Sequence, residues 1–409
     1  MIKVFIIPFL FGGFLGPPSS LAADPSESPQ LQRIHRLSKL WSEGHLSIFQ
    51  VPDLSKPTLG VIGDSLAAGS IADLRLTAEV WPLAGAAADF FLNGRWISQR
   101  TYGHRPPVTR IYDTPASVAR DRARGITEGH RAFENRGFRE LDCEECAFGP
   151  QLAVAMGFPH ENVFVAAKLK SRVDSLADQV DRIALPLKGL PNLILVSFTG
   201  NDLCNKRNEN ISFEEKRQQI AASFYQGLQR FTEYVANSSV ETSFSDAETV
   251  VAVVGPPNVA SLLRDPTVLN HQVPYSTSFN PFHREMVTCR EVRQAARPYL
   301  DKLNNSCSYV LRTNPGDLHR VSHIDDLSRA IYEGQQQATE RAARELSRPG
   351  LRFVFLTTLA DIKIRGQDLA NDCFHPSKQG HTRMAEALFS ELTRLGLTLG
   401  SRPAMMIDK

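Results

Sequence analysis

Three short stretches of the chain carry side chains that could do chemistry together. They are Gly63-Asp-Ser-Leu66, Gly200-Asn-Asp202 and Asp372-Cys-Phe-His375, the last backed by Pro376. A serine hydroxyl is a poor nucleophile until a base takes its proton, and histidine titrates near neutral pH. A carboxylate is then needed to fix the imidazole tautomer and to stabilise the imidazolium. Asp372 and His375 lie close enough in sequence for one loop to bring the carboxylate to Nδ1 and leave Nε2 for Ser65. The oxyanion formed in such a reaction needs N–H donors. The Ser65 backbone and the Asn201 side chain are the candidates. Singly, each stretch has an ordinary explanation, as a helix cap, a turn or a structural histidine. Their occurrence together, in order and each after an apolar run, points to a nucleophilic serine.

The elements that must position these residues are legible as apolar runs. Short β-rich runs at Leu59 to Ile62, Asn162 to Ala167, Leu193 to Phe198, Thr249 to Val254 and Leu351 to Leu356 read as strands. Helical spacing occupies Val173 to Leu185, Phe213 to Ala236, Ile324 to Leu346 and Gln379 to Leu395. Residues 258–320 read as loops and helix around Glu291 to Leu303. Nearly continuous apolar strands alternating with helices predict an α/β fold whose parallel sheet is covered on both faces. In such a sheet the loops after the strands share one edge, where open α/β folds hold their sites. Ser65 sits there, after Gly63 breaks the first strand and at the start of a helix, where negative charge is favoured. Asp64 before it departs from the G-x-S-x-G elbow.

With these motifs the chain resembles the SGNH (GDSL) hydrolase family, over about residues 57–395. Gly200-Asn-Asp-Leu-Cys204 and Asp372-Cys-Phe-His-Pro-Ser377, followed by Gly380-His381, are most similar to the phospholipase B-like branch. The resemblance implies a flavodoxin-like three-layer α/β/α sandwich. Its central, mainly parallel sheet would have five strands, with a large insertion after the first. It implies that Ser65 is the nucleophile, His375 the base and Asp372 its orienter, with Ser65 and Asn201 as oxyanion donors. There is one departure. The family's second motif has a glycine after the second strand, where this chain has Val165-Ala-Ala-Lys168. Ala167 is the best match for that third donor and Ala166 the next, since alanine keeps the backbone N–H. The implied reaction is carboxylic ester hydrolysis through an acyl-enzyme, without metal or cofactor, on lipid or phospholipid acyl esters. The alternative is a carbohydrate O-acetylesterase acting on envelope or environmental polysaccharide. A non-catalytic envelope-binding protein on the same scaffold is a third reading, and the intact Ser65, Asp372 and His375 argue against it.

The rest of the chain sets the context. A net charge of +2 over 409 residues gives no reason to expect nucleic acid as a partner. Residues 1–22 read as a signal peptide. Lys3 precedes the apolar stretch Val4 to Leu15, and Ser20-Leu-Ala22 offers cleavage after Ala22. Export to the periplasm or the extracellular space follows. Residues 23–56 read as a polar leader and a helix over Gln30 to Glu43, and 57–400 as the hydrolase domain. About 70–160 of that domain is the insertion. From Arg95 to Arg139 there are ten arginines and four acids, which read either as a solvated surface insertion or as a basic rim suited to an anionic substrate, membrane or envelope. In an oxidising compartment six cysteines favour disulfides, with fifteen possible pairings. Spacing suggests Cys143–Cys146 and the short loop Cys289–Cys307, which leaves Cys204–Cys373. Convergence of the Asn201 and His375 loops on Ser65 would bring that last pair together.

Overall fold

The five apolar runs form five adjacent parallel strands of one seven-stranded sheet, the last of them at its edge. The computed structural model describes residues 46–47, 53, 56–69, 72, 109–111, 122–123, 146–168, 171–187, 189–204, 206–236, 249–277, 280–300, 307–311 and 313–397. The strands are β1 (Leu46–Ser47), β2 (Leu59–Gly63), β3 (Thr109–Ile111), β4 (Val163–Val165), β5 (Leu193–Ser197), β6 (Thr249–Val254), β7 (Gln272–Thr277), β8 (Asn280–Thr288) and β9 (Leu351–Leu356). The sheet order is β1-β3-β4-β2-β5-β6-β9, with β7 and β8 forming a separate antiparallel hairpin. All pairings in the large sheet are parallel except β1 with β3. Its core, β4-β2-β5-β6-β9, has the flavodoxin-like strand order.

Alternation along each strand sends side chains to two helical layers. Ile62, Ile194, Val196, Val251 and Val253 join one buried cluster. That cluster is completed by the helices α3 (Leu176–Leu187), α4 (Phe213–Ala236) and α6 (Leu318–Glu345). Val61, Leu195, Ala252 and Val254 join the other, against α2 (Phe148–Ala155) and α7 (Lys378–Arg394). Both faces are covered, so the strands are apolar throughout. Each large side chain buried this way contributes about 1.5–3 kcal/mol. Gly149 allows α2 to close on β2, because a Cβ there would lie 2.7 Å from Cγ2 of Val61.

The structure differs from the sequence reading in several places. Helix α6 begins at Leu318 rather than Ile324, because the Asp317 carboxylate caps it by accepting the Arg320 N–H. Residues 258–320 contain the β7–β8 hairpin, and helix α5 (Cys289–Leu300) follows it directly. Within the stretch read as an insertion, β3 adds to the sheet beside β4, and α2 belongs to the core. The segment read as a signal peptide, the polar leader at 23–29, the helix read over 30–43, and every arginine of 95–139 except Arg110 and Arg122 lie outside the described residues, whereas Leu46–Ser47 of the 23–56 stretch form β1.

The disulfide pairing is corrected. The bonds are Cys204–Cys307 and Cys289–Cys373, not Cys204–Cys373 and Cys289–Cys307. The hairpin delivers the start of α5 beneath the Asp372–His375 loop, so Cys289 meets Cys373. Residues 308–311 pack against the 3-10 turn at 206–210, which sets Cys307 beside Cys204. Cys146 is also disulfide-bonded, whereas Cys143 lies outside the described residues.

Candidate active site

Strand β2 delivers Ser65 to the C-terminal edge of the sheet. It ends at Gly63, whose φ is +152° and where a Cβ would overlap the Ser197 carbonyl of β5. Only glycine lets the chain turn this close to its neighbour. Gln179 of α3 holds the turn from below. Its Oε1 accepts the Gly63 N–H at 2.7 Å, and its Nε2 donates to the Gly63 carbonyl at 2.9 Å and to Ser171 Oγ at 2.9 Å. A short helix, α1 (Ser65–Ala68), starts at once, and Asp64 caps it by accepting the Leu66 N–H at 3.0 Å.

The Asp64 carboxylate also accepts the N–H groups of Thr199 at 2.7 Å and Gly200 at 3.1 Å, and the Thr199 hydroxyl at 3.0 Å. It is 1% exposed, and burial pushes its pKa up against those donors. The loop after β5 is thereby fastened to the loop after β2. Asn201 follows, and its Nδ2 donates to the Ser171 carbonyl at 3.0 Å. A primary amide has two hydrogens, so one is left for another acceptor. Asp202 clamps the same segment by accepting the Val173 N–H at 3.0 Å. Burial pushes Asp202 up to about 6, and Lys216 opposes this.

The loop after β9 supplies the remaining groups. Asp372 Oδ1 accepts the N–H of Phe374 and of His375, each at 3.0 Å, and Oδ2 lies 2.6 Å from His375 Nδ1. Burial works to raise the Asp372 pKa, but the His375 ring and the N–H donors outweigh it and hold it below the usual carboxylate range. The carboxylate is therefore ionised at neutral pH and Nδ1 must carry the proton. That leaves Nε2 as the acceptor for the Ser65 hydroxyl, 3.2 Å away. Pro376 continues the loop in a bridge to Leu369, and Ser377 caps α7.

Ser65, Asn201 and His375 line one cleft whose walls are mostly apolar, among them Leu66, Val259, Leu262, Ile364, Phe374 and Met384. Among the described residues the Ser65 N–H has no hydrogen-bond partner. Ala167 is different. Its N–H donates to the Val61 carbonyl at 3.2 Å, as does that of Ala166 at 2.9 Å, and neither residue lines the cleft. The N–H expected to serve as a third donor is used to finish the sheet.

The sequence reading missed Gln179 and Ser171. Gln179 interrupts the apolar stripe of Val173, Leu176, Val180 and Ile183, and a polar residue there is the signal that could have found it.

A family model described as GDSL-like Lipase/Acylhydrolase matches residues 59–388, which takes in all three motifs. Among curated proteins nothing matches the chain.

Proposed function

Because this chain belongs to the family of GDSL-like lipases and acylhydrolases, hydrolases of ester type, we propose that it cleaves carboxylic esters through an acyl-enzyme on Ser65. The observation that carries this reading is the line from Asp372 through His375 to Ser65, with links of 2.6 and 3.2 Å. His375 takes the Ser65 proton as Oγ attacks the ester carbonyl, and Asp372 stabilises the imidazolium that forms. The oxyanion is held by the Ser65 N–H and the second hydrogen of the Asn201 amide. His375 then protonates the leaving alcohol. Water, activated by the same imidazole, releases the acid.

The apolar cleft walls favour an acyl chain over a bare acetyl group. We therefore place lipid-like acyl esters, phospholipids included, ahead of acetylated polysaccharide. The two described disulfides fit an exported protein. No described helix is long and apolar enough to cross a membrane. Export through the segment ending at Ala22, and contact with an anionic surface through residues 95–139, belong to this proposal.

The test is the Ser65→Ala variant assayed on p-nitrophenyl esters of graded chain length. A folded variant without turnover is expected. Wild-type turnover by that variant would remove the reading, and a wild-type preference for C2 esters would transfer it to acetylesterase chemistry.

A further inference from the structure

Helix α5 stands outside the sheet and contributes no residue to the reaction as proposed. It nevertheless touches the Asp372–His375 loop twice. Its first residue, Cys289, is bonded to Cys373. One turn further on, Arg293 lies 5% exposed, with Nη2 donating to the Cys373 carbonyl at 2.8 Å and Nη1 to the Leu262 carbonyl at 2.5 Å. Cys373 needs such holding. It is one of two non-glycine residues with positive φ among the described residues, at 57°. That left-handed conformation is costly for an L-residue. It also bends the chain so that Asp372 and His375, on either side, can meet.

We infer that Arg293 is a positioning residue for the reaction, a buried cation that fixes the Cys373 turn and ties it to the cleft wall at Leu262. A guanidinium suits the task because its planar fork serves two carbonyls at once. Its charge bears on the same loop. Burial lowers its pKa to about 10, and the Asp372 carboxylate opposes that fall. The attraction is mutual, so Arg293 favours the ionised form of the group that orients His375. The disulfide alone fixes the Cys373 sulfur, not the orientation of its peptide carbonyl.

This inference rests on the proposed roles of Ser65, His375 and Asp372. The experiment compares Arg293→Met, Arg293→Lys and Ser65→Ala with the wild type. The readouts are kcat and KM on p-nitrophenyl butyrate, and the rate of Ser65 labelling by a fluorophosphonate. Arg293→Met is expected to lose kcat by roughly 10- to 100-fold with KM nearly unchanged. Its labelling rate should fall in parallel. Arg293→Lys keeps the charge but places its donors on a single nitrogen, and should lie between Arg293→Met and the wild type. A folded Arg293→Met variant with wild-type kcat overturns the inference, as does a loss that appears in KM alone. Should Arg293→Met not fold, Arg293→Lys decides: reduced kcat at unchanged KM supports the role, and wild-type kcat overturns it. A Ser65→Ala variant that kept its turnover would remove the reading underneath. An inactive Ser65→Ala beside an unaffected Arg293→Met would remove the inference alone.

Discussion

The Asp64 carboxylate accepts the backbone N–H of Thr199 at 2.7 Å, across 135 positions of sequence. Through this bond and the one from Gly200, the loop that carries Ser65 and the loop that carries Asn201 share a single buried anchor. The residue before the serine is therefore a joint between two strand ends. Truncating it would leave the N–H groups of Leu66, Thr199 and Gly200 short of an acceptor. Each unsatisfied buried group costs about 1–3 kcal/mol. Asp64→Ala should lower stability by at least about 3 kcal/mol. Where it still folds, kcat should fall with it. Asp64→Asn keeps one acceptor oxygen and should lie between. Thermal melts and turnover on the same preparations check both statements.

Acid stability is expected to depend on His381. This residue, on the first turn of α7, is fully buried and stacks on Phe148, with ring centroids 6.2 Å apart. Neither ring nitrogen finds a hydrogen-bond partner among the described residues. Burial, helped by the nearby His375, lowers its pKa from 6.5 to about 3. The sign follows from proton counting. Below pH 6.5 the unfolded chain takes up a proton that the folded chain refuses, so stability falls as pH drops from 6.5 toward 3. At pH 5 the contribution of His381 to this loss, relative to neutral pH, is about 2 kcal/mol, and proton uptake by the raised Asp202 works in the opposite sense. His381→Phe, which keeps the ring stack and cannot titrate, should flatten this part of a Tm-against-pH curve. A curve as steep as that of the wild type would place the acid sensitivity elsewhere.

The two described disulfides should separate stability from activity. They close stretches of 84 and 103 residues, so a chain-entropy argument gives each a similar stabilisation of about 4–5 kcal/mol. Their places differ. Cys373 lies between Asp372 and His375, while Cys204 lies beyond Asn201, whose loop has further anchors in Asp64 and Ser171. Replacing Cys289 and Cys373 by serine should therefore lower kcat far more than replacing Cys204 and Cys307, at a comparable fall in Tm. Equal loss of kcat in the two double variants would contradict this.

Much of this arrangement was legible because its signals are local. The runs at 59–62, 193–198 and 249–254 are apolar on both faces, as strands between two helical layers must be, and helix α4 has the bounds its periodicity predicts. Asp372 and His375 could be paired on sequence because one loop holds both. Three things were hidden, all of them fixed by contacts between distant segments. Cysteine pairing depends on where the β7–β8 hairpin sets the start of α5, and residues 272–288 lack the apolar alternation that would reveal a hairpin. The fate of the Ala167 N–H depends on the Val61 carbonyl of a neighbouring strand. Arg293 reads as one more charge on a polar helix until the loop above it is in place.

The last prediction concerns Asn201 and its neighbour, which touch the same segment for different reasons. Asn201 donates to Ser171, and Asp202 accepts from Val173. If the free hydrogen of the Asn201 amide holds the oxyanion, its removal acts on the transition state and little on ground-state binding. Asn201→Ala should then lose about 10²- to 10³-fold in kcat, with KM little changed. The same variant also loses the bond to Ser171, so a fall in kcat alone would not separate donor from clamp. Asp202→Ala, which removes the other bond to the same segment and spares the Asn201 amide, makes that separation. It leaves the Val173 N–H without its acceptor and removes the charge that faces the buried Lys216. It should shift stability while holding kcat within a few-fold of the wild type. If Asp202→Ala lost as much kcat as Asn201→Ala, the geometry of the 171–173 segment would be the governing factor and the donor role of Asn201 would fall.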